Sequence, residues 1–287
     1  MRYAGRPASP RDTLASDSGG AYFPCSIWNG RVVAPRERIF NVPTVVLAMV
    51  ALLGVIHAVF VLVLTQQQAT ELLLLFSFIP ARYDAAVLAA ESWARGWGAA
   101  VWTFVTYAFI HGDLNHLFFN AIWLLAFGTP VARRFGPSRF TVFFAVTAAA
   151  GAAVHLATHF GEMTPMIGAS ASVSGAMAAA MRFVFQRGGP LGLLRNRDDE
   201  AYRVAPAPLA RMLRDPRVMA FLAVWFGVNI LFGLGTIAMP GVPQSVAWQA
   251  HIGGFLAGLF GFALFDPVRD SHVFVDPQGP QSEQSSH

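Results

Sequence analysis

The chain has 287 residues, 55% of them hydrophobic and only 13% charged, with a formal net charge of +4 and a mean hydropathy of +0.49. A typical soluble domain carries roughly 25% charged residues, so an ordinary soluble globular protein is excluded. The positive excess is explained by membrane topology, and no nucleic-acid partner is expected. The single cysteine, Cys25, excludes an internal disulfide framework and a cysteine metal cluster. All twenty basic residues are arginine, which reads as a base-composition habit of the source genome.

Residues 1–41 are polar and rich in Pro, Ser, Gly and Arg. No cleavable signal peptide is evident there, and an N-terminal tail is expected. Crossing a bilayer as a helix takes about 17–25 apolar residues. Residues 42–64 form the first such run. The stretch 65–114 is too long for a simple turn. It contains a short apolar run at 72–80 and a tryptophan cluster at Trp93, Trp97 and Trp102, so it predicts a partly embedded loop of short interfacial helices.

The second predicted span, 115–131, is interrupted by His116, Asn120 and Pro130 and ranks weakest by hydropathy. Spans at 140–158, 167–185, 218–239 and 247–265 complete a set of six. The loop 187–217 and a tail at 266–287 read as solvated, the tail as disordered. The fold class expected is therefore all-α, a polytopic six-helix bundle over 42–265.

Arginine placement agrees with six spans. The segments on one side carry Arg31, Arg36 and Arg38, then Arg133, Arg134 and Arg139, then Arg187, Arg195, Arg197, Arg203, Arg211, Arg214 and Arg217. The opposite connections carry Arg82 and Arg95. The positive-inside rule places both termini in the cytoplasm, and a bacterial inner membrane is the expected location.

His251 lies in the apolar, glycine-rich run Ala250-His251-Ile252-Gly253-Gly254-Phe255-Leu256-Ala257-Gly258. An ionisable side chain at membrane depth costs about 2.5 kcal/mol or more if charged, which makes it a functional-site candidate. Ser170 is a plausible partner, in Gly168-Ala169-Ser170 at the start of another apolar helix. A serine hydroxyl needs a base to take its proton and donors to hold the resulting oxyanion. Near a helix N-terminus, unpaired N–H groups favour negative charge, so the Ser170 amide is a natural donor. His116 and Asn120, spaced i and i+4, share one helix face and can complete the donor set. Ala250, Gly254, Ala257, Gly258 and Gly261 form a stripe of small residues suited to close helix packing, facing Ala171, Ser174, Gly175 and Ala178.

These motifs together resemble the rhomboid family of intramembrane serine proteases, from about Trp102 to Phe265. They are, in order, His111-Gly112-Asp113-Leu114-Asn115-His116-Leu117-Phe118-Phe119-Asn120, Gly168-Ala169-Ser170-Ala171 and Ala250-His251-Ile252-Gly253-Gly254. The resemblance implies a Ser170–His251 dyad without a third carboxylate. It also implies an oxyanion site of His116, Asn120 and the Ser170 amide, in a water-filled cavity open to the outer face. The family pattern usually has glycine after the nucleophile, where this chain has Ala171. Ser174, followed by Gly175, is the alternative nucleophile.

The function expected is an intramembrane serine endopeptidase acting on single-pass or polytopic membrane proteins in the bilayer, without metal, nucleotide or redox cofactor. The alternative is an inactive relative that binds client helices. A transporter or channel is a weaker rival, since the spans offer few other polar residues. His57, His155 and His159 read as packing or interfacial residues, His111 as a shaper of the external loop and Glu162 as solvated. Residues 236–243, in the connection between the fifth and sixth spans, are a candidate flexible cap.

Overall fold

The structure is a computed structural model that describes residues 26–28, 31–33, 42–90, 97–192, 199–233 and 247–268. The chain divides into two compact units, Met1–Asn41 and Val42–His287. In the first, strands β1 (Ser26–Trp28) and β2 (Arg31–Val33) pair antiparallel, Ser26 opposite Val33. The two residues between these strands in the sequence, Asn29-Gly30, are the dipeptide favoured in two-residue hairpin connections.

The second unit is helical among the described residues. Helix α1 (Thr44–Leu62) starts directly after Pro43. The long external connection folds into α2 (Gln66–Phe76), a 3-10 turn (Pro80–Tyr83), α3 (Ala85–Ala90) and α4 (Trp97–Thr106). A reciprocal capping box between Thr65 and Gln68 opens α2. Side chains then staple α4 and the 3-10 turn to their surroundings. Trp102 Nε1 donates to the Leu75 carbonyl at 3.0 Å, Thr106 Oγ1 to Phe76 at 2.7 Å and Tyr83 Oη to Ala100 at 2.7 Å. Short helices were expected here, and α2 packs against α4. Trp93 lies outside the described residues.

The weakest predicted span is a full one. Helix α5 (Leu114–Trp123), a π turn (Leu124–Gly128) and α6 (Thr129–Phe135) run as one 22-residue apolar segment, past the expected end at 131. Asp113 caps it by accepting from the His116 N–H at 2.9 Å. Pro130 lies in the first turn after the π turn, where its missing N–H interrupts no regular ladder. Gly136, at φ +79°, then reverses the chain into α7 (Pro137–Thr158).

Helix α8 is shorter than predicted. It covers Ser170–Met181, twelve residues, with irregular chain at 167–169 and turns from 182 on. Twelve residues rise about 18 Å, short of the roughly 30 Å hydrocarbon core. Every side chain from Ala171 to Met181 is buried, so α8 is the central post of the bundle. Its composition of Ala, Ser, Gly, Val and Met follows from having neighbours on all sides. Helix α9 is a single turn at Leu209–Met212, α10 covers Pro216–Gly233, and α11 covers Trp248–Phe265. The expected cap at 236–243 lies outside the described residues, as does the tail beyond 268.

Among the described residues, four helical segments are long and apolar enough to cross a membrane: α1, α5–α6, α7 and α11. The surface of the bundle differs from that of a soluble protein. Leu52, Val55 and Val61 on α1, Val224 on α10 and Phe260 and Leu264 on α11 are exposed, while His57, Thr147, Ser172, Ser174 and Asn229 are buried. An outer surface rich in large apolar side chains, around a mainly apolar core that also holds these polar groups, matches lipid as solvent.

The arginine-rich connection is not simply solvated. Buried Arg134 makes a two-pronged ion pair with Asp266, Nε to Oδ1 at 2.9 Å and Nη2 to Oδ2 at 2.8 Å. Its Nη1 donates to the carbonyls of Tyr202 and Val204, both at 2.8 Å. Arg182 Nε holds the Ala207 carbonyl at 2.9 Å. Two guanidinium groups thus tie the connection to the ends of α6, α8 and α11. Removing Arg134 strands a buried carboxylate and two carbonyls, which typically costs about 3–5 kcal/mol. Arg134→Ala is expected to lower the free energy of unfolding in detergent micelles by an amount in that range, seen as a lower denaturant midpoint at an unchanged slope, and an unchanged midpoint would refute the role given to this pair.

Candidate active site

Ser170 is the first residue of α8, and His251 lies in the first turn of α11. The two are 81 positions apart, yet Ser170 Oγ stands 2.7 Å from His251 Nε2. Both side chains are half-buried. On its other side the imidazole meets α10, with Nδ1 2.5 Å from Asn229 Oδ1. Asn229 is buried, and its Nδ2 donates to the Trp225 carbonyl at 2.8 Å.

The neighbouring serines are occupied elsewhere. Ser174 Oγ donates to the Ser170 carbonyl of its own helix at 2.8 Å, and Ser172 Oγ to Phe144 on α7, also at 2.8 Å. A bond back to the i−4 carbonyl is a common one for a serine inside a helix. Of the two nucleophile candidates read from the sequence, Ser170 faces the histidine and Ser174 does not.

Glycines let α11 reach this position. A Cβ on Gly254 would lie 2.0 Å from the Ala171 carbonyl oxygen, and one on Gly258 would lie 2.2 Å from that of Gly175. Gly253 faces α7 instead, where a Cβ would meet the Ala150 carbonyl at 2.7 Å. Gly261, placed in the expected stripe, has open space around it and takes no part. The Ala171 methyl, a departure from the family pattern, does not hold α11 away. It points to Gly151 on α7, where a Cβ would approach it to 2.6 Å.

The residues expected at an oxyanion site lie at the same end of α8. The Ser170 N–H has no backbone acceptor among the described residues, as the first turn of a helix requires. The His116 ring packs on Gly168, where a Cβ would fall 2.5 Å from Nε2. Gly168 also sits at φ +109°, so glycine is needed there for both conformation and space. Asn120 is buried, and its Nδ2 donates to the His116 carbonyl at 2.9 Å. One amide hydrogen is thereby committed within α5, leaving the second available.

The loop preceding Ser170 is held from two sides. The Gly168 N–H donates to the Tyr107 carbonyl at 3.0 Å, and Tyr107 Oη donates to Ala148 on α7 at 2.9 Å. Phe78 and Met166 exchange backbone bonds at 3.1 and 2.8 Å, joining the external layer to the same loop. Tyr107, Gly151 and Asn229 were not singled out in the sequence. Asn229 alone carried a signal, as an amide inside an apolar span.

The remaining polar residues keep supporting positions. His57 Nδ1 is 3.1 Å from the His111 carbonyl, linking α1 to the loop before α5. The His111 ring is buried edge-on to His116, and burial, helped by His116, pushes its pKa down to about 3, so the ring is neutral. His155 and His159 stack at 4.2 Å. Glu162 is exposed.

A hydroxyl and an imidazole in hydrogen-bond contact beside a free helix N-terminus is the geometry of nucleophilic acyl chemistry. A family model described as the Rhomboid domain matches residues 98–266, more than half of the chain. The chain belongs to the rhomboid family. It is similar to the rhomboid protease GlpG of Pectobacterium atrosepticum, 26% identical over 169 residues, which is 58% of this chain and 49% of that protein. It therefore spans about half the length of this curated relative. The family match runs from within α4 to the end of α11 and contains every residue of the candidate site. With its apolar helices, this rhomboid-family chain is an integral membrane protein.

In this rhomboid, Ala171 and Gly151 behave as a complementary pair. Gly151→Ala should overpack the α7–α8 contact and cost about 1–3 kcal/mol. Adding Ala171→Gly should recover part of that loss, incompletely because the Ala250 carbonyl and Tyr107 Oη also crowd position 151 at 2.9 and 3.1 Å. A double-mutant cycle on micellar unfolding with no coupling would show that the methyl is not received by Gly151.

Proposed function

We propose that this chain is a serine endopeptidase that cleaves membrane-spanning segments of other proteins, using Ser170 as nucleophile and His251 as its base. The observation that carries the reading is the 2.7 Å contact between Ser170 Oγ and His251 Nε2 inside a bundle with an apolar exterior. A hydroxyl in such a place has no need of an imidazole for packing. The pair is suited to proton transfer at hydrogen-bond distance.

The steps follow the general serine mechanism. A substrate helix enters from the bilayer and unwinds locally, since a helical backbone shields its carbonyls. Small or helix-breaking residues near the cut favour that unwinding. As Oγ bonds to the scissile carbonyl carbon, its proton passes to Nε2 and the carbonyl π pair moves onto oxygen. The Ser170 amide, with His116 and Asn120, receives that oxyanion. The imidazolium returns the proton to the leaving nitrogen as the C–N bond breaks. A water, deprotonated by the same imidazole, then releases the acyl group. The arginine-bearing end of the bundle faces the cytoplasm of a bacterial cell in this reading, which directs the Ser170 end of α8 outward.

Binding of client helices without cleavage is the rival, and it drew its force from Ala171. That force is reduced, because the methyl fits against Gly151 and leaves α11 in contact with α8. Ser170→Ala and His251→Ala are each expected to abolish both cleavage of a reconstituted transmembrane substrate and labelling by a fluorophosphonate, while Ser174→Ala retains both. Loss of activity in Ser174→Ala with retention in Ser170→Ala would overturn the assignment, and a wild-type chain inert to probe and substrate would favour the binder. Asn120→Ala should slow turnover by about 10²-fold, as removal of one oxyanion donor does, and an unchanged rate would remove Asn120 from that role.

A further inference from the structure

A histidine base works only if the nitrogen facing the nucleophile is unprotonated in the neutral ring, and the bond made by the other nitrogen decides which tautomer that is. The hydrogen bonds around His251 have one consistent direction. They end on the main-chain carbonyl of Trp225, which can only accept. The Asn229 atom 2.8 Å from it must therefore be the amide nitrogen. That orientation turns Oδ1 of Asn229, also an acceptor only, toward Nδ1 of His251 at 2.5 Å. Nδ1 must carry the hydrogen, and Nε2 is left as the acceptor for the Ser170 hydroxyl at 2.7 Å.

We propose that Asn229 is a positioning residue that fixes His251 as its Nδ1–H tautomer and holds the ring against Ser170, through a relay anchored on the Trp225 carbonyl. The proposal rests on the protease reading for its catalytic consequence, although the tautomer itself does not. Asn229 is suited to the task by its surroundings. It is buried on α10, one turn from its anchor and beside the aromatic pair Trp225 and Phe255, whose rings stack at 4.8 Å. A neutral amide supplies the acceptor that a carboxylate supplies in soluble serine hydrolases, without leaving a charge in an apolar bundle. The arrangement also makes α10 a third contributor to a site whose reacting groups lie on α8 and α11. A helix that presents an aliphatic face outward at Met219, Val224 and Val228 is thereby coupled to the base by a single hydrogen bond.

The test compares wild type, Asn229→Leu and Asn229→Asp as full-length chains in lipid. Turnover is followed on a transmembrane substrate, and tautomers by nitrogen NMR of isotope-labelled histidine at alkaline pH, with the His251 signal identified by its loss in His251→Ala. Wild type should show Nδ1 protonated and Nε2 bare. Asn229→Leu should lose that preference and lower kcat by about 10²-fold with KM unchanged, a milder loss than the roughly 10⁴-fold seen when a triad aspartate is replaced so that the wrong tautomer forms. Asn229→Asp, which keeps an acceptor toward Nδ1 but loses the donor to the Trp225 carbonyl, should keep the wild-type tautomer and recover part of kcat. The inference is overturned if wild-type His251 carries its proton on Nε2, or if Asn229→Leu turns over like wild type. Should Asn229→Leu not fold, the wild-type and Asn229→Asp spectra decide the matter. An unreactive wild type would defeat the protease reading while the tautomer spectrum still stands for or against Asn229. A reactive wild type indifferent to Asn229 would defeat this inference alone.

Discussion

Helices α8 and α11 touch backbone to backbone, and the site exists only because they do. Ser170 and His251 have short side chains, so their parent helices must approach until main-chain atoms are in van der Waals contact. Gly254 against the Ala171 carbonyl and Gly258 against Gly175 leave no room for even one extra carbon. In lipid, where apolar surface gains little by being covered with other apolar surface, such close packing of small residues is the main source of helix association. The same contacts that hold the bundle together therefore set the distance across which a proton would move.

The central post needs support on its remaining sides, and the fold supplies it with polar side chains used inwardly. Ser172 and Ser174 satisfy carbonyls of α7 and α8, Tyr107 joins the loop before Ser170 to α7, and Arg134 pins the far end of the bundle to Asp266 and the connection at 202–204. Each is a buried polar group with partners, the condition for burial to be tolerated. The two ends are treated differently. The arginine end is cross-linked by guanidinium groups, whereas the Ser170 end is built from glycine conformations and helix termini with amide hydrogens left open.

Much of this was legible in the primary structure, and for identifiable reasons. Long apolar runs locate α1, α7 and α11 to within a few residues because a span is a local property of composition. His116, Asn120, Ser170 and His251 stand out because polar groups are expensive in such runs. Where local composition misleads, packing is the reason. Pro130 reads as an interruption but is accommodated by a π turn, and residues 167–185 read as a full span when only twelve of them are helical. An average over apolar residues does not distinguish a helix facing lipid from one enclosed by protein.

The membrane class, the positions of most spans and the residue types able to support acyl chemistry are readable along the chain, because each depends on local hydropathy and on the cost of polar groups in lipid. The pairing of distant helices is what sets Ser170 beside His251 and turns Ser174 back onto its own helix, seats the Ala171 methyl at Gly151 and brings Asn229 to the far side of His251. Those facts depend on which faces of distant helices meet. Helical periodicity gives the faces of each helix, but their pairing is set by three-dimensional packing, which no single stretch of the chain encodes.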